Sequence, residues 1–493
     1  MLAALLRERE AVVPSPLPPG YARRRPEQTD LYRLLSARLP AFLDSAADEG
    51  GLPMFIRHTL ESYLGCGRLE RGFARVCCCP GCRDDLLVAL SCKLRGICPS
   101  CGGRTMADTA AHLVDRVLPP VAVRQWVLTL PWHLRRRLAY DAELTTAVLA
   151  LFIRTIERFY AHCGAARHGV RGGRTGSVTA IQRFGSALNL NPHLHVLFLD
   201  GVYVRRSPTG PLRFFRLRTL TDADVAEVLG QLVTDLHRLL IRRGLSDLAE
   251  QSSPDDGALA LQQLALGSIA GQSPLGPSPS RHGLTSDSAT IPAPGPRLCA
   301  SLAGATLHAA TTATRRGDLE VLCRYVLRPP LGIDRVRWRE DGLVELSLPR
   351  PWSDGTTSLR FEPLTFIGRL VPLIPPPRRH QVRYHGVFAP NASWRKEITS
   401  QAAAAGGVRR SAPCRPSRAS GGPLTPRPRR LAWAELLKRT FALDVLCCVR
   451  CGGRRELLAV VMKPEAVVAI LTHLGLDTDD AGPRPPPSQL DLI

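Results

Sequence analysis

Long apolar runs are missing from this chain. No stretch approaches the roughly 18 uninterrupted apolar residues that a membrane-spanning helix needs. The opening Met1-Leu2-Ala3-Ala4-Leu5-Leu6-Arg7-Glu8-Arg9-Glu10 meets charge too soon for a signal peptide. The expectation is a cytoplasmic, nucleoid-associated protein with no membrane partner. Tandem repeats are absent, which excludes a solenoid, and no G-x4-G-K-[ST] pattern offers to cradle nucleotide phosphates. Aromatic residues make up only 5% of the chain, so stacking on bases is a poor route to nucleic-acid affinity. Acidic residues are also in deficit: 43 Asp and Glu face 65 Lys and Arg, leaving a formal charge of +22. A balance that basic favours a polyanion. Nucleic acid is the expected one, because no basic amphipathic helix or lipidation signal points to a membrane surface.

At 493 residues and 44% hydrophobic, the chain has ample length for a large core and divides into two to four domains. Residues 1–27, Pro- and Arg-rich towards their end, read as disordered. Residues 28–112 read as a helical and zinc-binding, DNA-binding domain, with helical periodicity through Leu31, Leu34, Leu35, Leu39, Phe42 and Leu43. A large domain follows at 120–400. It contains a buried strand at Gln125–Pro131, a helix over Ala142–His162, and a helix over Thr221–Arg243 that Thr221 caps and Gly244 stops. Within it, residues 250–297 shift to Ser, Pro and Gly and read as a flexible surface excursion. Residues 401–430 form a basic linker to a small C-terminal module at 431–493.

Fifteen cysteines are poor disulfide candidates in a reducing cytosol, and their clustering favours metal. Cys79-Pro80-Gly81-Cys82 and Cys98-Pro99-Ser100-Cys101 give C-x2-C-x15-C-x2-C. Four thiolates so spaced close a tetrahedral structural Zn²⁺ site. Cys66, Cys77, Cys78 and Cys92 crowd the same region, which keeps an exchange of ligands or a second ion open. The pair Cys448 and Cys451 is half a site with only His473 as a distant helper, and reads as structural.

A second constellation is Asn191-Pro192-His193-Leu194-His195, leading into Val196-Leu197-Phe198-Leu199. Side chains two apart on a strand share a face, so His193 and His195 can hold one divalent cation. The same spacing also occurs as ordinary strand histidines. Ser177–Gln182 can pair with this strand and bring Gln182 near the ion, and His308 on the strand-like Gly304–Ala310 is the candidate third ligand. The candidate nucleophile is Tyr325, on a short helix carrying Arg324 and Arg328 as DNA phosphate contacts and stopped by Pro329-Pro330. Its bland alternative is a half-buried packing tyrosine. Phosphate oxygens together with imidazole suit Mg²⁺ or Mn²⁺ at this open site.

Four separated blocks, in order over residues 30–400, carry a family resemblance. They are Ser91-Cys92-Lys93 through Cys101, Gln182-Arg183-Phe184-Gly185 through His195, Leu322-Cys323-Arg324-Tyr325 through Pro330, and Arg383-Tyr384-His385-Gly386-Val387 through Asn391. Together they resemble the rolling-circle transposases of insertion-sequence family ninety-one. Asp444-Val445-Leu446 and Cys448–Gly453 fit the same likeness. The resemblance implies an α+β fold: an HUH-type (histidine, hydrophobic, histidine) antiparallel sheet with flanking helices, plus the small N-terminal helical and zinc-binding domain. It implies nicking and rejoining of single-stranded DNA at transposon ends and target through a covalent 5′-phosphotyrosine, with a helicase and replication machinery supplied by the host. By carry-over, His193 and His195 are the metal ligands and Tyr325 the nucleophile. Val321 stands where some relatives place a second tyrosine, which implies the single-tyrosine branch. Ser358 follows Asp354-Gly355-Thr356-Thr357, where the family often has histidine. The alternative is a decayed or domesticated zinc-containing DNA-binding protein without catalysis.

Overall fold

The computed structural model describes residues 24–78, 85–217, 219–245, 259–270, 280–283, 297–405, 433–441, 443–448 and 451–476. In chain order it opens with α1 (Asp30–Asp48), where the Thr29 hydroxyl accepts from the Tyr32 N–H and so satisfies one orphan donor of the first turn. Next come α2 (Met54–Leu64), β1 (Phe73–Cys77), β2 (Asp85–Ala89) and α3 (Pro99–Arg116). The large mixed region then runs β3 (Val123–Thr129), α4 (Arg135–Tyr140), α5 (Ala142–His168), β4 (Gly176–Phe184), β5 (Leu190–Leu199), the hairpin β6 (Gly201–Val204) and β7 (Arg213–Arg216), and α6 (Asp222–Arg242). Asp141 caps α5, and a reciprocal box between Thr221 and Asp224 starts α6. Beyond these lie α7 (Leu259–Ala270), β8 (Ser280–Gly283), β9 (Cys299–Leu302), β10 (Ala305–His308), β11 (Thr312–Ala313) and α8 (Arg316–Val326). The described chain finishes with β12 (Val336–Trp338), β13 (Val344–Ser347), β14 (Thr356–Phe361), α9 (Pro363–Leu370), β15 (Val382–Gly386), α10 (Arg395–Ala405), α11 (Trp433–Phe441), β16 (Glu456–Val461) and α12 (Pro464–His473).

The fold is α+β with antiparallel sheets. Its central sheet has the order β15-β4-β5-β3-β10-β9, and β11 also pairs with β3. β5 lies in the middle, with Ala180 and Val127 flanking His195, and Gln182 and Thr129 flanking His193. Alternation along β5 sends Leu194, Val196 and Phe198 into a core with Trp126, Leu128 and the apolar stripes of α5 and α6. Leu197 and Leu199 face the opposite core, built with Val178 and Ala180 and covered by α3, α8 and α10. The sheet is thus sandwiched between helical layers.

Part of the stretch expected as a flexible excursion is ordered. α7 buries Leu261, Leu264 and Ala265 in a third core with α1, α2, α9 and β12–β14, and Ser268 Oγ accepts the Leu190 N–H at 2.8 Å, at the start of β5. β8 pairs with β14. Residues 246–258, 271–279 and 284–296 lie outside the described set. The C-terminal stretch contributes β16, which pairs with β1 in a sheet of order β16-β1-β2.

Inside the sheet layer Arg124 forks onto Asp200, Nε to Oδ1 at 2.8 Å and Nη2 to Oδ2 at 3.2 Å, while its Nη1 donates to the Ala309 carbonyl at 2.8 Å. Both side chains are buried. Removing one partner leaves an uncompensated charge in a dry site. Arg124→Met is therefore expected to lose about 3–5 kcal/mol of stability in urea denaturation. Arg216, whose side chain is 57% exposed and 3.8 Å from the same carboxylate, should cost less than about 1 kcal/mol on the same change. Equal losses in the two variants would remove the buried fork from this role.

Candidate nuclease site and cysteine centre

The two histidines of β5 lie side by side, with ring centroids 4.7 Å apart. His193 Nδ1 is 2.7 Å from the Asn191 carbonyl oxygen. Because a carbonyl only accepts, Nδ1 carries the proton and Nε2 presents its lone pair. His195 is 4% exposed, and its Nδ1 meets the side-chain amide of Gln125 at 2.6 Å. The amide nitrogen of Gln125 is the atom placed against Nδ1, which leaves Gln125 Oε1 and His195 Nε2 both buried without a hydrogen-bond partner; exchanging the amide N and O lets the oxygen accept from Nδ1–H and leaves His195 Nε2 bare. Burial holds the pKa of His193 below the usual imidazole range, and that of His195 well below it, with the neighbouring imidazole and Arg328 adding to the effect at His195. Neutral imidazoles side by side suit a cation.

Tyr325 comes to this pair from α8. Its ring centroid is 6.2 Å from that of His195 at 87°. Gln182, opposite His193 in the sheet, donates Nε2–H to the Val326 carbonyl at 2.5 Å and to that of Tyr325 at 3.5 Å. Those carbonyls belong to the last turn of α8, where no helical partner remains. Gln182 thus pins the end of the tyrosine helix to the histidine strand. Arg328, just past the helix, sits with Cζ 4.4 Å from the Tyr325 ring centroid. Arg324 is engaged elsewhere: Glu320, one turn earlier, binds its Nη2 at 2.7 Å and also binds Arg439 Nη2 at 2.9 Å.

His308 does not join the pair. It lies on the same face as His195, but β3 intervenes, with His308 opposite Val127 and Val127 opposite His195. Two strand spacings separate them by about 10 Å, and His308 Nε2 instead faces Cys299 Sγ at 3.5 Å. Among the described residues, no trio of His, Cys or carboxylate ligand atoms within 4.8 Å of one another includes His193 or His195. Gln125 was missed by spacing rules. Its signal was a polar side chain in the otherwise buried run of β3.

The cysteine centre gathers Cys66, Cys92, Cys98 and Cys101, whose sulfurs all lie within 4.8 Å of one another. Cys66 Sγ is 3.6 Å from both Cys98 and Cys101, and Cys92 is 3.5 Å from Cys101. Zinc–sulfur bonds of 2.3 Å in a tetrahedron set the sulfurs about 3.8 Å apart, so the quartet fits Zn²⁺. Cys98 caps α3 and Cys101 lies in its first turn, where the helix N-terminus favours thiolate. Hydrogen bonding within the quartet, first with Cys101 for Cys98 and with Cys66 for Cys101, lowers both pKa values and raises those of Cys66 and Cys92. Cys79 and Cys82, expected beside Cys98 and Cys101, lie outside the described residues. Cys66 and Cys92 occupy the corresponding places in this quartet. The centre braces the tyrosine end of α8 through α3: a Cβ on Gly102 would fall 2.6 Å from Pro329 Cβ.

A family model described as a putative transposase matches residues 176–396, which contain β4, β5 and the tyrosine helix, and one described as a transposase zinc-binding domain matches residues 38–130, which contain the quartet. No curated protein and no solved structure matches the chain. The matches support a DNA-processing enzyme, a transposase, with a zinc-binding domain. The two matches together support a transposase of the type of insertion-sequence family ninety-one. Among the described residues no helix is long and apolar enough to cross a membrane.

Because three thiolates no longer close the tetrahedron, Cys66→Ser and Cys92→Ser should each lose this ion to a chelator as readily as Cys98→Ser. Chelator competition followed by metal analysis reads the difference. A Cys66→Ser protein that holds its zinc like the parent would remove Cys66 from the centre.

Proposed function

We propose that this transposase nicks and rejoins single-stranded DNA at insertion-sequence ends through a covalent link from Tyr325 to a 5′ phosphate, with Mg²⁺ or Mn²⁺ held by His193 and His195. One juxtaposition carries the reading: a tyrosine whose helix end is tied by Gln182 to the strand that presents two neutral imidazoles. The bare Nε2 of His193 and the partnerless buried Nε2 of His195 are what a cation needs from its protein ligands, and remaining positions stay open to water and phosphate oxygens. Such an ion, when bound, withdraws charge from the scissile phosphate and favours the phenolate of a group whose ordinary pKa is near 10.

The chain's own residues do the rest. Tyr325 Oη attacks phosphorus, the Oη–P bond forms and the P–O3′ bond breaks. The phenolic proton passes to water and the departing 3′ oxygen takes one up. Arg328, beside the phenol, supplies positive charge for the phosphate, and Gln182 acts as a positioning residue. One phosphodiester replaces another, so attack by a 3′ hydroxyl on the phosphotyrosine rejoins a strand without a nucleotide cofactor. Val321 occupies the place one turn before Tyr325 on α8, so a single tyrosine serves each cycle. The 3′ hydroxyl set free can prime host replication, and strand separation falls to a host helicase. The formal charge of +22 supplies salt-dependent affinity for the strand.

Tyr325→Phe is expected to bind an end-derived single strand as the parent does, yet yield no denaturation-resistant adduct in Mg²⁺. With the substrate labelled separately at each end, the downstream label should stay with protein; an upstream label on the protein would mean a 3′ link and end the HUH assignment. Adduct from Tyr325→Phe but not from Tyr384→Phe would move the nucleophile. Binding by the parent without any adduct would leave a DNA-binding protein that lacks catalysis.

Gln125 offers a further check, since a group that orients a metal-bound imidazole typically contributes 10–100-fold to affinity. Gln125→Leu should weaken Mn²⁺ binding by about that factor in a titration followed by electron paramagnetic resonance. Unchanged affinity would show that the amide does not set the His195 tautomer.

A further inference from the structure

The Cys448-x2-Cys451 pair, half a site by spacing alone, meets a third thiol from the other end of the chain. Antiparallel pairing of β1 with β16, with Val76 opposite Leu457 and Cys77 opposite Glu456, delivers Cys78 to it. Cys78 Sγ lies 3.2 Å from Cys451 Sγ, and the sulfurs of Cys78, Cys448 and Cys451 all fall within 4.8 Å of one another.

The backbone around the pair is shaped for a ligand. A bridge between Cys447 and Arg454 closes a tight turn. Within it Gly452, at φ +66°, donates to the Cys448 carbonyl at 2.9 Å, and the Cys448 N–H returns to the Gly453 carbonyl at 2.8 Å. The Gly453 N–H points at Cys451 Sγ at 3.4 Å, a contact that favours thiolate over thiol. Gly453 also keeps the space before the sulfurs clear: a Cβ there would stand 3.2 Å from Cys451 Sγ and 3.9 Å from Cys78 Sγ.

Apolar burial alone gives this junction little hold. Its core consists of the buried Leu69, Phe73, Val467 and Leu471 with a few half-buried neighbours, while Leu457 and Leu458 on β16 remain 54% and 62% exposed. We propose that Cys78, Cys448 and Cys451 hold a second zinc ion, separate from the Cys66–Cys92–Cys98–Cys101 centre, that fastens β16 and α12 to the β1–β2 hairpin. Three soft thiolates fill three of the four positions of a tetrahedral ion and select zinc over Mg²⁺ or Mn²⁺. Cys79 and Cys82, the next thiols in sequence, lie outside the described residues. The site does not depend on the nuclease reading.

Native mass spectrometry of the full chain, purified with reductant and zinc, counts the ions. Two per parent chain are expected, one in Cys448→Ser/Cys451→Ser, and one in Cys98→Ser/Cys101→Ser. Gly453→Val, which fills the cradle and leaves every thiol in place, should lower occupancy of the second ion. Amide hydrogen exchange across 456–461 should quicken at least tenfold in Cys448→Ser/Cys451→Ser, with α1 and α2 unchanged. A single zinc per parent chain, retained in Cys448→Ser/Cys451→Ser, would overturn the proposal, as would a Cys78–Cys451 disulfide recovered from zinc-free parent protein alkylated on denaturation.

Discussion

Burial of β5 on both faces is the constraint from which the histidine site takes its form. A strand between two helical layers has no solvent to satisfy its polar groups, so any imidazole placed there must be neutral and must find partners within the protein. β5 meets this at one nitrogen of each ring, through the Asn191 carbonyl and the Gln125 amide. The remaining nitrogen of His195 has none. An orphaned buried polar atom costs on the order of 1–3 kcal/mol, a cost that the proposed cation would remove at His195. The opposite face of the same strand supplies the stiffness, with Leu194, Val196 and Phe198 locked against α5 and α6.

The cysteine centre and the histidine site are mechanically joined. α3 begins at the zinc thiolates, packs along α8, and reaches Pro329 at Gly102, where no side chain fits. At its far end Asp115 receives both Arg316, in the first turn of α8, and Arg439 of α11. Zinc therefore fixes the origin of a helix against which the tyrosine helix is registered at both ends. The cysteine centre thereby bears on where Tyr325 is held.

Much of this was legible in the sequence where one physical rule dominates. Period-two alternation located the histidine strand, and apolar stripes located α5, which runs on past the expected His162 to His168, and the capped α6, whose ends lie close to those expected. Three features escaped for separate reasons. α7 spreads Leu261, Leu264, Leu266 and Ile269 around its axis between Ser- and Pro-rich flanks, so no amphipathic period marks it. His308 sits on the expected face but one strand too far, because the β9–β10 hairpin attaches to β3, a choice that topology makes and local pattern does not. The quartet combines an adjacent pair with two isolated cysteines, whereas spacing rules favour paired knuckles; Cys66 and Cys92 are brought to α3 by tertiary packing, which no spacing encodes.

The pairing of β1 with β16 also has a temporal side. The thiols that meet there are 373 residues apart in sequence. At about 5–20 residues per second on the ribosome, the early hairpin waits roughly 20–75 s for its third strand. Closing so long a loop is slow and entropically unfavourable, though the cost grows only logarithmically with length. During that interval the amino-terminal region of a nascent chain exposes an unpaired sheet edge, the kind of surface that recruits a neighbouring copy. Translation rate and chaperone access therefore belong among the determinants of how much correctly assembled transposase a cell contains.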